Sequence, residues 1–201
     1  MRFGWAAGST HGEPTRIRAR WTVEIRPPLL LCGPPAVGKS VTGRVLALSR
    51  PRCALIDVDD VRQLVLSGAA APWEGEEGRR QQSLGVLNAC AIAGNFIEAA
   101  VEVIVVDVAT PDTMALYREH LPECVVVRLT VSLTEALRRA AGRRVWLTNE
   151  EFRLLHEADA AHPPQADHTL DVGALDPAAQ ADAVERVWVG RRHRTQFPKS
   201  N

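Results

Sequence analysis

Short apolar runs recur along the chain from Leu29 onwards, and each is followed by a longer stretch in which apolar residues return at helical spacing. The runs are rich in β-branched residues and are bounded by turn residues, which predicts strands buried on both faces. Such strands are typical of a mainly parallel sheet. The predicted strands are 29–32, 53–57, 101–108, 124–130 and 168–172.

Several of the predicted helices carry chemical start signals. Ser132 precedes Glu135 and Thr148 precedes Glu151, each with the spacing of a capping box, and Asp176 stands before a proline. The predicted helices are 39–48, 60–67, 76–100, 112–120, 133–144, 150–160 and 177–189. The alternation of strands and helices predicts a three-layer, doubly wound α/β fold, in which a sheet of about five mainly parallel strands has helices on both faces.

The composition fits one globular domain and disfavours two classes of partner. The chain has 201 residues, 46% of them hydrophobic, and its 24 basic residues balance 24 acidic ones. A zero net charge disfavours nucleic acid, because proteins that grip its backbone usually carry a basic excess. No apolar run approaches the roughly 18–20 residues of a membrane span, and the first residues lack the apolar core of a signal peptide, so we expect a cytoplasmic protein.

The pattern divides the chain into three regions. Residues 1–26 have no sustained period and are expected to form a flexible extension. Residues 27–190 contain the whole alternating pattern and form the predicted domain, and residues 191–201 form a basic tail. The four cysteines are scattered, which indicates reduced thiols rather than a disulfide framework or a zinc site.

The first predicted strand runs into the sequence GPPAVGKS at residues 33–40, and a helix follows. This is the phosphate-binding pattern G-x-x-x-x-G-K-[ST], in which glycines let the backbone wrap around phosphate. Lys39 should reach the β- and γ-phosphates and the Ser40 hydroxyl should bind Mg²⁺. Lys39 and Lys199 are the only lysines among the 24 basic residues, and a compact ammonium suits this loop better than a guanidinium. The predicted nucleotide-binding residues are Gly33, Val37, Gly38, Lys39, Ser40 and Val41.

Carboxylates follow the second and third predicted strands. The second strand runs into LIDVDDVR at residues 55–62, which holds three aspartates, and the third ends at Asp107. Ligands of an open parallel sheet lie beyond the carboxyl ends of its strands, so a carboxylate there can accept the proton of an attacking hydroxyl. The predicted metal ligands are Ser40, Asp57 and Asp107. The chain lacks the N-K-x-D motif of Ras-type GTPases, and no glutamate follows Asp107 as in motor-type ATPases.

GPPAVGKS followed by IDVDDVRQLV resembles the P-loop small-molecule kinases and phosphotransferases. These include the chloramphenicol phosphotransferase-like, polynucleotide 5′-kinase-like, adenylylsulfate kinase and gluconate kinase families. The resemblance implies a kinase domain that uses ATP and Mg²⁺, with Asp59 as the general base, Arg62 as the residue that contacts the acceptor and Lys39 on the transferred phosphate. It also implies a lid over about residues 138–150, where Arg139 and Arg143 would close over the triphosphate.

The resemblance places the acceptor pocket between the second and third strands. The candidates for lining it are Arg62, Trp73, Arg80 and Thr110. The expected function is transfer of the γ-phosphate of ATP to a hydroxyl of a small molecule, such as an antibiotic or other secondary metabolite, a sugar or a nucleoside.

Three alternatives stay open at this point. They are a nucleic-acid 5′-hydroxyl kinase, a zeta-toxin-like kinase of a sugar nucleotide, and an ATPase module without an acceptor. The residues leave open the acceptor, the oligomeric state and the preference between ATP and GTP.

Overall fold

The computed structural model describes residues 25–141 and 147–189. The basic tail expected over 191–201 lies outside this range, as does all but the end of the extension expected over 1–26. No helix in the described part of the chain is long and apolar enough to cross a membrane.

Five parallel strands form one sheet, which confirms the predicted architecture. They are β1 (Leu29–Cys32), β2 (Cys53–Asp57), β3 (Glu102–Val106), β4 (Val125–Thr130) and β5 (His168–Asp171). The strand order is β2-β3-β1-β4-β5, and Leu30 of β1 pairs with Val105 of β3 and Val126 of β4. The central strand β1 therefore ends between β3 and β4, and the loop that follows it lies at the middle of the carboxyl edge.

Seven helices lie along the described residues. They are α1 (Lys39–Leu48), α2 (Val58–Arg62), α3 (Gly75–Glu98), α4 (Pro111–His120), α5 (Leu133–Ala140), α6 (Asn149–Ala161) and α7 (Pro177–Val189). Most bounds agree with the sequence pattern within two residues, but the helix predicted over 60–67 is wrong. Helix α2 begins at Val58 and ends at Arg62, because Leu64 and Leu66, 73% and 93% exposed, have no core to cover.

The two faces of the sheet are covered by separate apolar cores. Leu30 and Cys32 pack with residues of α2, α3 and α4 on one face, whereas Leu29 and Leu31 pack with α7 on the other. All four side chains of β1 are fully buried. Full burial of one such side chain stabilises the fold by about 1.5–3 kcal/mol, so β1 is the anchor of both cores.

Gly33, directly after β1, is required by a close approach to β4. Its φ is +133°, and a Cβ at this position would lie 2.2 Å from the carbonyl oxygen of Leu129. This contact holds the start of the loop against the neighbouring strand. No side chain fits there without a shift of the backbone.

We therefore predict that Gly33→Ala lowers the free energy of unfolding by about 3 kcal/mol, because it combines a backbone clash with an unfavourable φ. Gly94→Ala is the matched control, since Gly94 lies in α3 with no atom within 4 Å of the added methyl. The control should gain about 0.5–1 kcal/mol from helix propensity. Urea unfolding of both variants measures the difference, and equal stabilities would contradict the close approach.

Candidate active site

The carbonyl groups of the loop at residues 33–40 are held by side chains. Lys39 Nζ donates to the carbonyl oxygens of Gly33 at 2.7 Å and Pro34 at 2.8 Å. His156 Nε2, from α6, lies 2.9 Å from the carbonyl oxygen of Pro35. Buried carbonyl groups need such partners. The loop is therefore held in shape by its own lysine and by a distant helix.

The carbonyl oxygen of Val37 has two further donors from two other helices. Gln180 Nε2, from α7, donates at 3.0 Å, and Arg139 Nη1, from α5, donates at 3.2 Å. Gln180 is buried and also donates to Thr42 Oγ1 at 2.8 Å. Sequence reasoning missed Gln180 and His156, because nothing local marks a buried polar residue as the partner of one particular carbonyl.

The pKa of Lys39 is lowered by burial, against the attraction of nearby Asp59 and Asp107. An ammonium that is costly to keep charged in the loop gains most from a strongly anionic ligand, because the ligand's charge opposes the cost of burial. The position and environment of Lys39 therefore suit a polyphosphate.

Ser40 and Asp57 join the end of the loop to the end of β2. Ser40 Oγ donates to Asp57 Oδ2 at 2.8 Å, and Asp57 Oδ1 accepts from the backbone N–H of Asp59 at 3.1 Å. Asp57 is therefore the cap of α2, which begins at Val58 and not at the predicted residue 60. The shift follows from the short side chain of Asp57, which reaches the amide two residues on.

Arg62 lies between two carboxylates. Its Nη2 donates to Asp59 Oδ1 at 2.6 Å and to Asp107 Oδ1 at 3.0 Å. The Asp59 side chain is 62% exposed, whereas that of Asp107 is fully buried. Burial opposes the charge of Arg62, but Asp107 and Asp59 outweigh it and raise the pKa of Arg62 above its usual value. Nη1 of Arg62 is buried and has no hydrogen-bond partner in the described part of the chain.

The two candidate metal carboxylates differ in their surroundings. Asp57 contacts the Ser40 hydroxyl, whereas Asp107 accepts from Arg62 and, at 2.9 Å, from the hydroxyl of Tyr117. Within residues 25–141 and 147–189, no group of three or more His, Cys, Asp or Glu side chains could hold a metal. Ser40 and Asp57 fit Mg²⁺, which usually binds through one or two carboxylates together with substrate phosphates.

Arg139 contacts backbone carbonyl groups of two loops. Besides Val37, its guanidinium donates to the carbonyl oxygens of Val172 at 2.7 Å and Gly173 at 3.3 Å, and Nε donates to Glu135 at 2.7 Å. It thus joins the phosphate-binding loop to the loop after β5. Arg143, the other predicted lid residue, lies outside the described residues.

The predicted acceptor-binding residues are spread out. Arg62 lies against Asp59, whereas Arg80 pairs on the surface with Glu76 at 3.5 Å. The Thr110 hydroxyl caps α4, and Trp73 is half exposed in the segment before α3.

A cavity of about 390 Å³ adjoins the phosphate-binding loop on the side of α7. Gly38 and Val41, both predicted to bind nucleotide, line it together with Arg138 and Arg139 of α5. Leu175, Asp176 and Pro177, at the start of α7, line it as well. The cavity therefore adjoins the loop that the sequence predicts to bind phosphate.

Known proteins resemble this chain in fold rather than in sequence. No family model matches the chain, and no curated protein matches it. Among solved structures it is similar to a sugar kinase from a Janibacter species, with 14% identity over 82% of this chain and 95% of that one, and a TM-score of 0.63. The chain has the fold of the P-loop small-molecule kinases.

Two further structures share this kinase fold. Shikimate kinase from Acinetobacter baumannii, in complex with shikimate, is 22% identical over 82% of this chain and 92% of its own, with a TM-score of 0.56. The tunicamycin resistance protein of Deinococcus radiodurans is 14% identical over 82% and 96%, with a TM-score of 0.58. The predicted resemblance to P-loop small-molecule kinases is thereby confirmed at the level of structure.

The environment of Asp57 leads to a prediction for stability. Burial, together with Asp59 and Asp60, raises the pKa of Asp57 above its usual value of 3.8, although the Ser40 hydroxyl opposes the shift. The folded state then holds the proton more tightly than the unfolded state. The contribution of Asp57 to stability is therefore present below pH 3.8 and is lost as pH rises through the pKa of the folded state.

We predict that Asp57→Asn is more stable than the wild type at neutral pH, because asparagine keeps the helix cap without the charge. The advantage should disappear at about pH 3, where the aspartate is protonated. Asp60→Asn, an exposed neighbour, is the control and should change stability less. Urea unfolding at both pH values measures the difference. An advantage that persists at acidic pH would contradict the assigned cause.

Proposed function

We propose that the protein is a kinase that transfers the γ-phosphate of ATP to a hydroxyl group of a small molecule. The observation that carries the proposal is the contact chain from Ser40 through Asp57 to Asp59. These contacts end at the backbone N–H of Asp59, whose exposed carboxylate pairs with Arg62 and lies close enough to act on the charge of Lys39. A base beside a phosphate-binding loop is what transfer to a hydroxyl requires.

The loop at residues 33–40 would bind the triphosphate. Gly33 and Gly38 let the backbone approach it, and the amides from Val37 to Val41 would donate to its oxygens, helped by the positive end of α1. Lys39 would exchange the carbonyl groups that it now contacts for the β- and γ-phosphates. This exchange would restore the favourable surroundings that its burial lacks.

Ser40 and Asp57 are the residues that would hold Mg²⁺. The ion supplies positive charge that offsets the charge developing on the phosphates during transfer. The predicted role of Asp107 in metal binding stays a prediction, since in the structure its oxygens are engaged by Arg62 and Tyr117.

Asp59 and Arg62 would handle the acceptor. Asp59 would orient the hydroxyl and take its proton as the oxygen attacks phosphorus. Nη1 of Arg62 would donate to the acceptor, and a buried donor without a partner is typical of a group that completes its hydrogen bonds with a ligand. The predicted roles of Trp73, Arg80 and Thr110 in the acceptor pocket stay predictions.

The cavity beside the loop would hold the base of the nucleotide. Arg139 would keep the backbone beside this cavity in place through the carbonyl groups that it contacts. Arg143 would act from the lid. The sugar kinase and shikimate kinase among the similar structures support a small hydroxyl compound as acceptor. The zero net charge favours this over a nucleic acid. A reaction that consumes ATP fits the cytoplasmic location expected from the sequence.

The direct test is incubation with ATP, Mg²⁺ and a panel of sugars, nucleosides, antibiotics and hydroxy acids, followed by mass spectrometry. The expected result is one compound that gains a single phosphate. If ATP is hydrolysed and no hydroxyl compound diverts the phosphate, the protein is an ATPase module and the proposal is wrong. Transfer to a 5′-hydroxyl oligonucleotide with a steep salt dependence would identify a nucleic-acid kinase instead.

We predict that Asp59→Asn lowers kcat about 10²–10⁴-fold, the usual contribution of a general base. Nucleotide binding should stay within about twofold of the wild type, because Asp59 does not contact the phosphate-binding loop through its side chain in the described hydrogen bonds. Asp60→Asn is the matched control and should keep full activity, since Asp60 is exposed in the first turn of α2. Full transfer activity in Asp59→Asn would remove Asp59 from the reaction.

A further inference from the structure

Tyr117 is the only tyrosine of the chain, and its side chain is fully buried on α4. Its hydroxyl donates to Asp107 Oδ2 at 2.9 Å. Burial, and after it the charge of Asp107, raises the pKa of Tyr117 well above its usual value. The core could have used phenylalanine at this position, and the hydroxyl therefore serves the hydrogen bond to Asp107.

Asp107 connects Tyr117 to Arg62 in the candidate active site. Its second oxygen, Oδ1, accepts from Arg62 Nη2 at 3.0 Å, and the same nitrogen donates to Asp59 Oδ1 at 2.6 Å. Four side chains, from α4, from the residue after β3 and from α2, thus form a line that begins in the core and ends at an exposed carboxylate. The only exposed end of this line is the candidate base, Asp59, whose side chain is 62% exposed.

Each link restricts the next one. A carboxylate held on one oxygen by a buried phenol cannot rotate freely, and the planar guanidinium must then meet its other oxygen in one orientation. Helix α3 leaves room for this geometry, because a Cβ at Gly85 would lie 2.6 Å from Cγ of Arg62. Arg62 is therefore held by packing as well as by charge.

We propose that Tyr117 is a positioning residue of the active site: through Asp107 it fixes Arg62, and through Arg62 it fixes the carboxylate of Asp59. The catalytic consequence rests on the proposed kinase function, whereas the physical coupling does not. The proposal assigns Asp107 to the support of Arg62 and leaves the metal to Ser40 and Asp57. Binding of an acceptor to Arg62 would therefore change the hydrogen bond of the Tyr117 hydroxyl.

The first experiment uses the fact that the chain has one tyrosine. Protein labelled with ¹³C at the ζ-carbon of tyrosine gives a single NMR resonance, which reports the hydrogen bond of the phenol. Asp107→Asn and Arg62→Lys should both shift this resonance, whereas Arg186→Lys, on the exposed side of α7, should leave it in place. If the resonance does not shift in Arg62→Lys, the coupling is overturned, whether or not the protein is a kinase.

The second experiment measures Tyr117→Phe with the acceptor found in the panel. We expect kcat/KM for the acceptor to fall about tenfold to a hundredfold, as for a misplaced catalytic group, with KM for ATP within about twofold of the wild type. When Tyr117→Phe is added to Asp59→Asn, kcat/KM for the acceptor should fall by less than about twofold, because the group that Tyr117 positions is already lost.

The remaining outcomes decide between the two proposals. Tyr117→Phe that unfolds at a lower temperature but keeps its kcat/KM would show a purely structural hydroxyl and overturn the positioning role. Equal losses from Tyr117→Phe in the wild type and in Asp59→Asn would do the same. If the wild type phosphorylates no compound, the proposed function and the catalytic role of Tyr117 both fail, and the NMR comparison still decides the coupling.

Discussion

The outward carbonyl groups of the phosphate-binding loop are the constraint on which the site depends. A loop that presents its amides to phosphate leaves its carbonyls facing the protein, and a buried carbonyl without a donor is costly. Lys39 supplies donors from within the loop, and His156, Arg139 and Gln180 supply them from three helices. Helices α5, α6 and α7 therefore shape the loop as much as its own glycines do.

The aspartates near the carboxyl edge are compatible with one another because each of them contacts a hydrogen-bond donor. Asp57 meets a hydroxyl and a helix amide, whereas Asp59 and Asp107 share one arginine. An arginine between two carboxylates offsets a repulsion that would otherwise disfavour both charges. The Asp59 side chain is the exposed member of the pair that shares Arg62.

The sequence predicted well wherever a signal was local. The strands were found because continuous apolar runs have one stable place in a doubly wound fold, and the phosphate-binding loop because its glycines and lysine must be adjacent in the chain. The helix after β2 was placed too late. Apolar spacing extended the helix to residue 67, but Leu64 and Leu66 are exposed, and Asp57 starts the helix earlier.

By itself the sequence determined the layers, the loop and the acidic turn that make phosphate chemistry possible. Only the tertiary structure decided which side chain holds which group: His156 meets a carbonyl 121 residues away, and Gln180 meets one 143 residues away. It also turned Arg139 towards backbone carbonyls and joined Tyr117 to Asp107. Periodicity tells which face of a helix is buried, but the partner of a buried polar atom depends on how that helix packs, and packing is a property of the whole chain.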